Sequence, residues 1–516
     1  MNKTTLFSIR KLVFKLSKFA LCACVGVSML AGASQSFAAA NDWHFGSPAG
    51  PVTVVGTAGS DTIVTDDAEG ASYDPMNTGT SIGGFGADFV EFGTAAFPNV
   101  FNDSTLVATA FIIFGGNGNA TIRGDIDAND DATDIGVSSV GTLDITIAAG
   151  GSIFGGAAAI SSGGTLTLTN NGILDANAGD AVFGAVGGTI TNNLTITGSD
   201  DGIDINSGTL MLTNTATGTI TGTASNGVEA ANTATIINSG VITGGTNGIL
   251  ALDDLVLTNN GGGTVTGTAF NGVLANNGAI ITNNGTITGG DDGIDVLADL
   301  VLINGLLDTI TGTAGNGVLA TTSADITNNG SILGDDSGVN VTTALDLTNN
   351  ATGGITGTTL HGVLATDNAT ILNDGAITGG TDGIHANNFV LPGTGITNNG
   401  TITGGDDGID VLDGLVLLNQ AGATITGTAG EGVFADDFAT IINDNSIING
   451  GDDGIEASNS LVVLNQNGAQ IEGLGNHGVL AQNTAGITND VSTIEGLNNG
   501  ITALDDLTVL GIVNLI

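Results

Sequence analysis

The chain has 516 residues, with 86 Gly, 5 Pro, 1 Trp and 1 Tyr, and it carries 51 Asp plus Glu against 6 Lys plus Arg. So few cations exclude direct binding of nucleic acid or anionic lipid headgroups, both of which need Lys and Arg to neutralise phosphate. With only 11% charged and 41% hydrophobic residues, the chain is also not an acidic disordered tail.

The first element is a leader. Lys3, Arg10, Lys11, Lys15 and Lys18 stand ahead of the apolar run FALCACVGVSMLAGA, and SQSFAAA follows, ending in an A-x-A-like site at Ala40. This layout predicts a Sec-type signal peptide over residues 1–40 and hence export. The apolar run is too short to prefer spanning a bilayer, and no later segment is long and apolar enough, so no membrane insertion is expected. Cleavage removes five cations and no acid, leaving a net charge of about −50 and one cation, Arg123. Both cysteines, Cys22 and Cys24, leave with the leader, so no disulfide can staple the exported chain. Divalent cations are the small partners such a surface favours.

Residues 41–130 read as a Gly-rich, irregular entry region or N-terminal cap. GGFGADFVE, Gly83 to Glu91, fits the calcium nonapeptide pattern GGxGxDxUx, and GTAGSDTIV, Gly56 to Val64, fits it loosely. Asp61 and Asp88 are therefore candidate calcium ligands. The two motifs do not adjoin, as they must for successive turns to share an ion, and GGNGNATIR at Gly115 lacks the Asp. Ordinary Gly-rich turns are the competing reading. No other cofactor is implied.

Residues 131–516 are a repeat. Fourteen marker positions from Gly202 to Gly500, each a Gly followed by Ile or Val, recur at a mean interval of roughly 23 residues. Shorter and longer steps alternate, because a GGDDGID type of unit takes turns with a GTAGNGVLA type. The alternation slips once, between Gly383 and Gly408, where two units of the first type adjoin. A series of sixteen asparagines from Asn170 to Asn514 keeps the same period. Within each unit, runs such as ATIIN, GTITG and GVLA alternate with period two between Gly, Asn and Asp turns, which predicts short strands and no helix.

Three strands per ~23 residues cannot bury an apolar face alone, but stacked units can. The expected fold is all-β: a right-handed parallel β-helix solenoid whose coils are the repeat units. Each coil lies about 4.8 Å from the next, so Gly202 to Gly500 spans roughly 60 Å. The asparagines are expected to point inward at a bend and form an internal ladder. Asn514 falls within the last unit, so the stack reads as ending without a cap.

ITNNGTITGGDDGIDVL occurs twice, at Ile281–Leu297 and Ile396–Leu412, each copy with two adjacent aspartates. Adjacent carboxylates suit hydrolase chemistry, but equivalent units carry Thr246–Asn247, Asp336–Ser337 or Asn498–Asn499 instead. What persists is a short polar residue and then Gly, the chemistry of a turn whose Gly tolerates positive φ. No catalytic residue is assigned. His361 and His477 each precede a marker Gly. They stand five coils apart, too far to share a metal, and read as solvent-exposed turn residues.

ITNNGTITGGDDGID and TGTAGNGVLA resemble the β-helical passenger domains of bacterial autotransporters and related adhesins over residues 130–516. That resemblance implies a secreted or cell-surface, outer-membrane-associated protein with a structural or adhesive role. Its partner would be a host or environmental surface, or a glycan. The family's C-terminal translocator barrel is missing from the pattern, since no ten-residue alternating strands with aromatic girdles follow. The alternative is a secreted polysaccharide hydrolase on a pectin-lyase-like β-helix. The basic pair and aromatic sugar subsites that such enzymes carry have no counterpart here.

Overall fold

The computed structural model describes residues 132–389 and 395–510 throughout, with strand segments between Asp42 and Ala128 and at Asn514–Leu515. The leader, 1–40, lies outside the described residues.

Each coil contributes three strands, and a representative coil shows why. Leu300–Asn304 (LVLIN) has alternating burial ending in Asn304, Thr309–Gly312 (TITG) buries Ile310 and Gly312, and Val318–Ala320 (VLA) buries Val318 and Ala320. Period-two alternation sends every second side chain inward. Gly and short polar residues make the bends between strands. The three strands define three faces, named here the ladder face, the TITG face and the short face.

Coils stack in strict parallel register. Asn304 pairs with Asn328 on the ladder face, Ile310 with Ile332 on the TITG face, and Val318 with Val339 on the short face. Sixteen register steps carry Leu143 to Leu507, which confirms the repeat unit as one coil. At the usual strand spacing this is a rod of roughly 75 Å. The fold is thus an all-β parallel solenoid, with no helix among the described residues. Upstream strands pair in the same parallel sense: Asp42–Phe45 with Thr62–Thr65, and Ala87–Phe92 with Asn117–Ile122.

The core is one continuous cluster of Ile, Leu, Val and Ala, including Ile220, Leu257, Ile310, Leu347, Ile402 and Ile448. Beside it runs the asparagine ladder. Asn170 is its first member and Asn489 its last, each fully buried. Every Nδ2 donates to the Oδ1 of the next asparagine at 2.7–2.9 Å, as in Asn283 to Asn304 and Asn328 to Asn349. The same amides also bond backbone at the bend: Asn283 Nδ2 lies 3.2 Å from the carbonyls of Gly285 and Thr309.

Two expectations are corrected. Asn514 does not extend the ladder, because it pairs with Thr493 on the TITG face. At the other end, Ile147 occupies the ladder position opposite Asn170. The marker glycines are also not there for positive φ, since none is among the positive-φ residues. They are there for close approach: a Cβ on Gly293 would sit 2.6 Å from the Gly317 carbonyl oxygen and 2.8 Å from Ile310 Cγ2. Coil spacing, not turn conformation, excludes a side chain.

Candidate functional site

The bend between the TITG face and the short face carries a second polar column, built from the residue just before each marker Gly. In GGDDGID turns the two aspartates part company. Asp291 is exposed, whereas Asp292 is only 7% exposed. The inward carboxylate serves the next coil: Asp292 Oδ1 accepts the Asn316 backbone N–H at 2.6 Å and Asn316 Nδ2 at 3.0 Å. Asp201 does the same for Asn226, Asp407 for Glu431 and Asp453 for His477, at 2.5–2.6 Å to the backbone N–H. Elsewhere Asn247 and Asn271 fill the position and accept the same bond. The inner Asp of each pair is thus neither a turn ornament nor a solvated charge. It satisfies a buried amide that has no partner in its own coil.

Two residues beyond each marker Gly, on the short face, lies a row of side chains set between the inward apolar ones. Register aligns Asp204 with Glu229, Leu274 with Asp295, Asp295 with Leu319, Leu364 with His385, His385 with Asp410, and Phe434 with Glu456. Second-type units mostly place Leu here. Acids in this row are therefore usually separated by an apolar rung.

Three groups of ligand-type side chains result, each with its donor atoms within 4.8 Å of one another: Asp180, Asp201 and Asp204; Glu431, Asp453 and Glu456; and His361, Asp382 and His385. In the first, Asn226 Nδ2 bridges Asp201 Oδ1 and Glu229 Oε2 at 3.1 and 2.9 Å. Burial, with added repulsion from Glu229 and Asp180, raises the Asp201 pKa. Burial likewise raises Asp292 and pushes Asp295 up to about 7, with Asp292 adding like charge. Asp407 and Glu431 are both raised, by burial first. The Asp407 carboxylate then favours a proton on Glu431.

The third group differs in chemistry. The His361 and His385 rings stack with centroids 4.9 Å apart and planes at 25°. Asp382 Oδ2 lies 3.0 Å from His361 Nδ1 and 3.6 Å from His385 Nδ1, and Asp410 Oδ2 lies 2.7 Å from His385 Nδ1. The His361 contact is close but not aligned as a hydrogen bond, and His361 Nδ1 and Asp410 Oδ1 are buried without one. The Asp382 and Asp410 carboxylates beside it push His385 up to about 10, against the opposing effect of burial. Burial alone would raise Asp382, but the two imidazoles outweigh it and hold its carboxyl well below the usual range.

Compared with known proteins, the chain matches no family model, no curated protein and no solved structure. Its function therefore rests on the geometry alone.

Of the residues expected from sequence to bind calcium, Asp61 lies outside the described residues. Asp88 is placed by its backbone only, opposite Gly118. The reading of the histidines as exposed turn residues is corrected. His361, His385 and His477 side chains are 16%, 20% and 14% exposed, and each sits against an aspartate. His385 does not precede a marker Gly, so the repeat pattern does not single it out. The signal that does is the slip between Gly383 and Gly408. It stacks two first-type units directly, so His385 meets Asp410 where a Leu would otherwise intervene.

Proposed function

We propose that this chain is an exported structural or adhesive rod, displayed at the cell surface in the manner of an autotransporter passenger, and not an enzyme. The observation that carries the reading is the unbroken asparagine ladder from Asn170 to Asn489, with its continuous core. A solenoid of this kind resists unfolding from within and presents three long, regular faces, which suits reach and contact. The adhesive part is supported by an outward apolar strip on the ladder face. Val256, Ile280 and Val301 stand in register, at 37%, 54% and 42% exposure, with Ile303 beside them. Equivalent positions one and two coils further on are Asp325 and Asp346. The strip thus ends in charge on that side and in Thr235 on the other, and Asp is compatible with the fold there.

The test is antibody labelling of intact against lysed cells, with adhesion of purified protein to apolar and glycan-coated surfaces. Labelling of intact cells, and adhesion lost in Ile280→Asp/Val301→Asp, is expected. Labelling only after lysis overturns surface display. Glycan cleavage that disappears in Asp292→Asn or Asp407→Asn would instead favour the hydrolase alternative.

A further inference from the structure

We propose that His361, Asp382, His385 and Asp410 form a binding site for a divalent transition-metal ion of the zinc type, stapling three successive coils. The donor set has the right chemistry. Two imidazoles with two carboxylates suit zinc, copper, nickel or iron, whereas calcium and magnesium prefer all-oxygen shells. The two carboxylates match the charge of a dication.

The distances fit as well. Tetrahedral ligands at ~2.0–2.1 Å from zinc stand about 3.3 Å from one another. Asp382 Oδ2 is already 3.0 and 3.6 Å from the two Nδ1 atoms. Asp410 stands just outside that three-residue group, touching it through His385 at 2.7 Å, and would have to swing toward the centre to become the fourth ligand. Asp382 is held in the required orientation, because its other oxygen, Oδ1, accepts the Asp407 backbone N–H at 3.3 Å and so keeps Oδ2 toward the rings.

Two further observations separate this cluster from the chain's acidic turns. His361 Nδ1 and Asp410 Oδ1 are buried polar atoms left without a hydrogen bond, a cost that a bound ion at the centre would relieve by reorganising both groups. The site also falls where the alternation of units slips. Everywhere else a first-type unit is followed by a second-type unit, which mostly offers Leu at this row. The slip removes that rung and brings Asp410 onto His385. His477 provides the internal contrast. It too leans on a column aspartate, Asp453, but the next coil places Asn499 and Thr502 where His361 meets Asp382 and His385.

The repeat itself supplies the variants for the test. His361→Asn places the residue found at Asn226, Asn271 and Asn316, and His385→Leu places that found at Leu274, Leu319 and Leu364, so neither should disturb the coil. The untagged full chain is stripped with EDTA and titrated with Zn²⁺ by calorimetry and with Co²⁺ by visible absorption. Millimolar calcium and magnesium are present throughout, to occupy sites that only need oxygen.

One equivalent of Zn²⁺ and the intense d–d bands of four-coordinate Co²⁺ are expected. Affinity should fall roughly a hundredfold or more in each variant, since even outer partners of ligands are worth 10–100-fold. His477→Asn should bind as the parent does. The unfolding midpoint should rise with Zn²⁺ in the parent and not in His361→Asn or His385→Leu. Absence of stoichiometric Zn²⁺ binding overturns the proposal. So does binding unchanged in both variants, which would assign the metal to the acidic surface, or loss in only one of them, which would remove the two-histidine site.

Discussion

Replacing Asn328 by Leu tests the ladder most directly, because Leu branches at the same atom as Asn and, being larger, leaves no cavity to confuse the result. Asn328 is fully buried. Its Oδ1 accepts from Asn304 Nδ2 at 2.9 Å and from the Gly330 N–H at 3.3 Å. Its Nδ2 donates to Asn349 Oδ1 at 2.8 Å and also reaches the Gly330 and Gly354 carbonyls at 3.2 and 3.3 Å. In the variant, Asn349 Oδ1 and the Gly330 N–H lose their partners where water cannot reach, while Asn304 Nδ2 keeps the Ser331 carbonyl at 3.2 Å. Two orphaned buried groups at about 1–3 kcal/mol each give a loss of roughly 2–6 kcal/mol.

The control is the next residue. Asn329 is half-buried, and its side chain bonds the Asn304 carbonyl at 3.3 Å and Asn350 Nδ2 at 2.8 Å. Water can replace those bonds, so Asn329→Leu should cost at most about 1 kcal/mol. Chemical denaturation followed by far-ultraviolet circular dichroism reads both. Equal losses in the two variants would refute the claim that the inner amide, and not asparagine content, holds the coils together.

Spacing between coils can be probed at glycine. Gly293→Ala should destabilise by roughly 1–3 kcal/mol, because its Cβ meets backbone at 2.6 Å, whereas Gly354→Ala, with nothing within 4 Å, should be neutral. Similar melting temperatures for the two would contradict the packing role of the marker glycines. Asp295 predicts a pH dependence opposite to ordinary acid denaturation. Its folded pKa, about 7, lies above the ordinary aspartate value of 3.8. The folded state therefore holds a proton that the unfolded state has lost, and this stability is full below pH ~4 and gone above ~7. Asp295→Leu should thus stabilise by about 2–4 kcal/mol at pH 8 and little at pH 4; a gain independent of pH would show that the carboxyl is ordinary. Finally, millimolar calcium should raise the thermal midpoint more than sodium chloride of equal ionic strength. Equal midpoints would mean that the acidic surface is merely screened.

The solenoid is legible in the sequence because its determinants are local and repeated. Alternation within ATIIN or LVLTN fixes which side chains face in, and a fixed interval stacks like on like. Two features are less legible for specific physical reasons. The role of the marker glycines depends on the distance to the next coil's carbonyl, which a single unit does not display, so a conformational explanation suggests itself first. Comparing like positions in the repeat sets His361 beside His477. The contact that forms joins different positions in neighbouring coils, His361 before its glycine and His385 after the next one. Asn514 misleads for a related reason. Its interval from Asn489 mimics the period, while strand register assigns it to another face.

A stack of identical rungs has translational degeneracy. Asn283 would bond Asn349 as readily as Asn304, so the ladder rewards any coil for settling on any other and cannot by itself forbid a skipped or misordered layer during folding. The column beside the marker glycines lifts that degeneracy, because its rungs are not interchangeable. Asp292 offers an acceptor to the amides of Asn316, Asp382 stands between two imidazoles, and Asp453 needs the amide of His477. A mis-threaded coil would trade these matched pairs for further contacts between acids in a poorly hydrated bend, beyond the run the native column already carries at Asp382, Asp407 and Glu431. The aperiodic column thus acts as a combination lock on layer order, with the periodic one holding whatever order the lock admits.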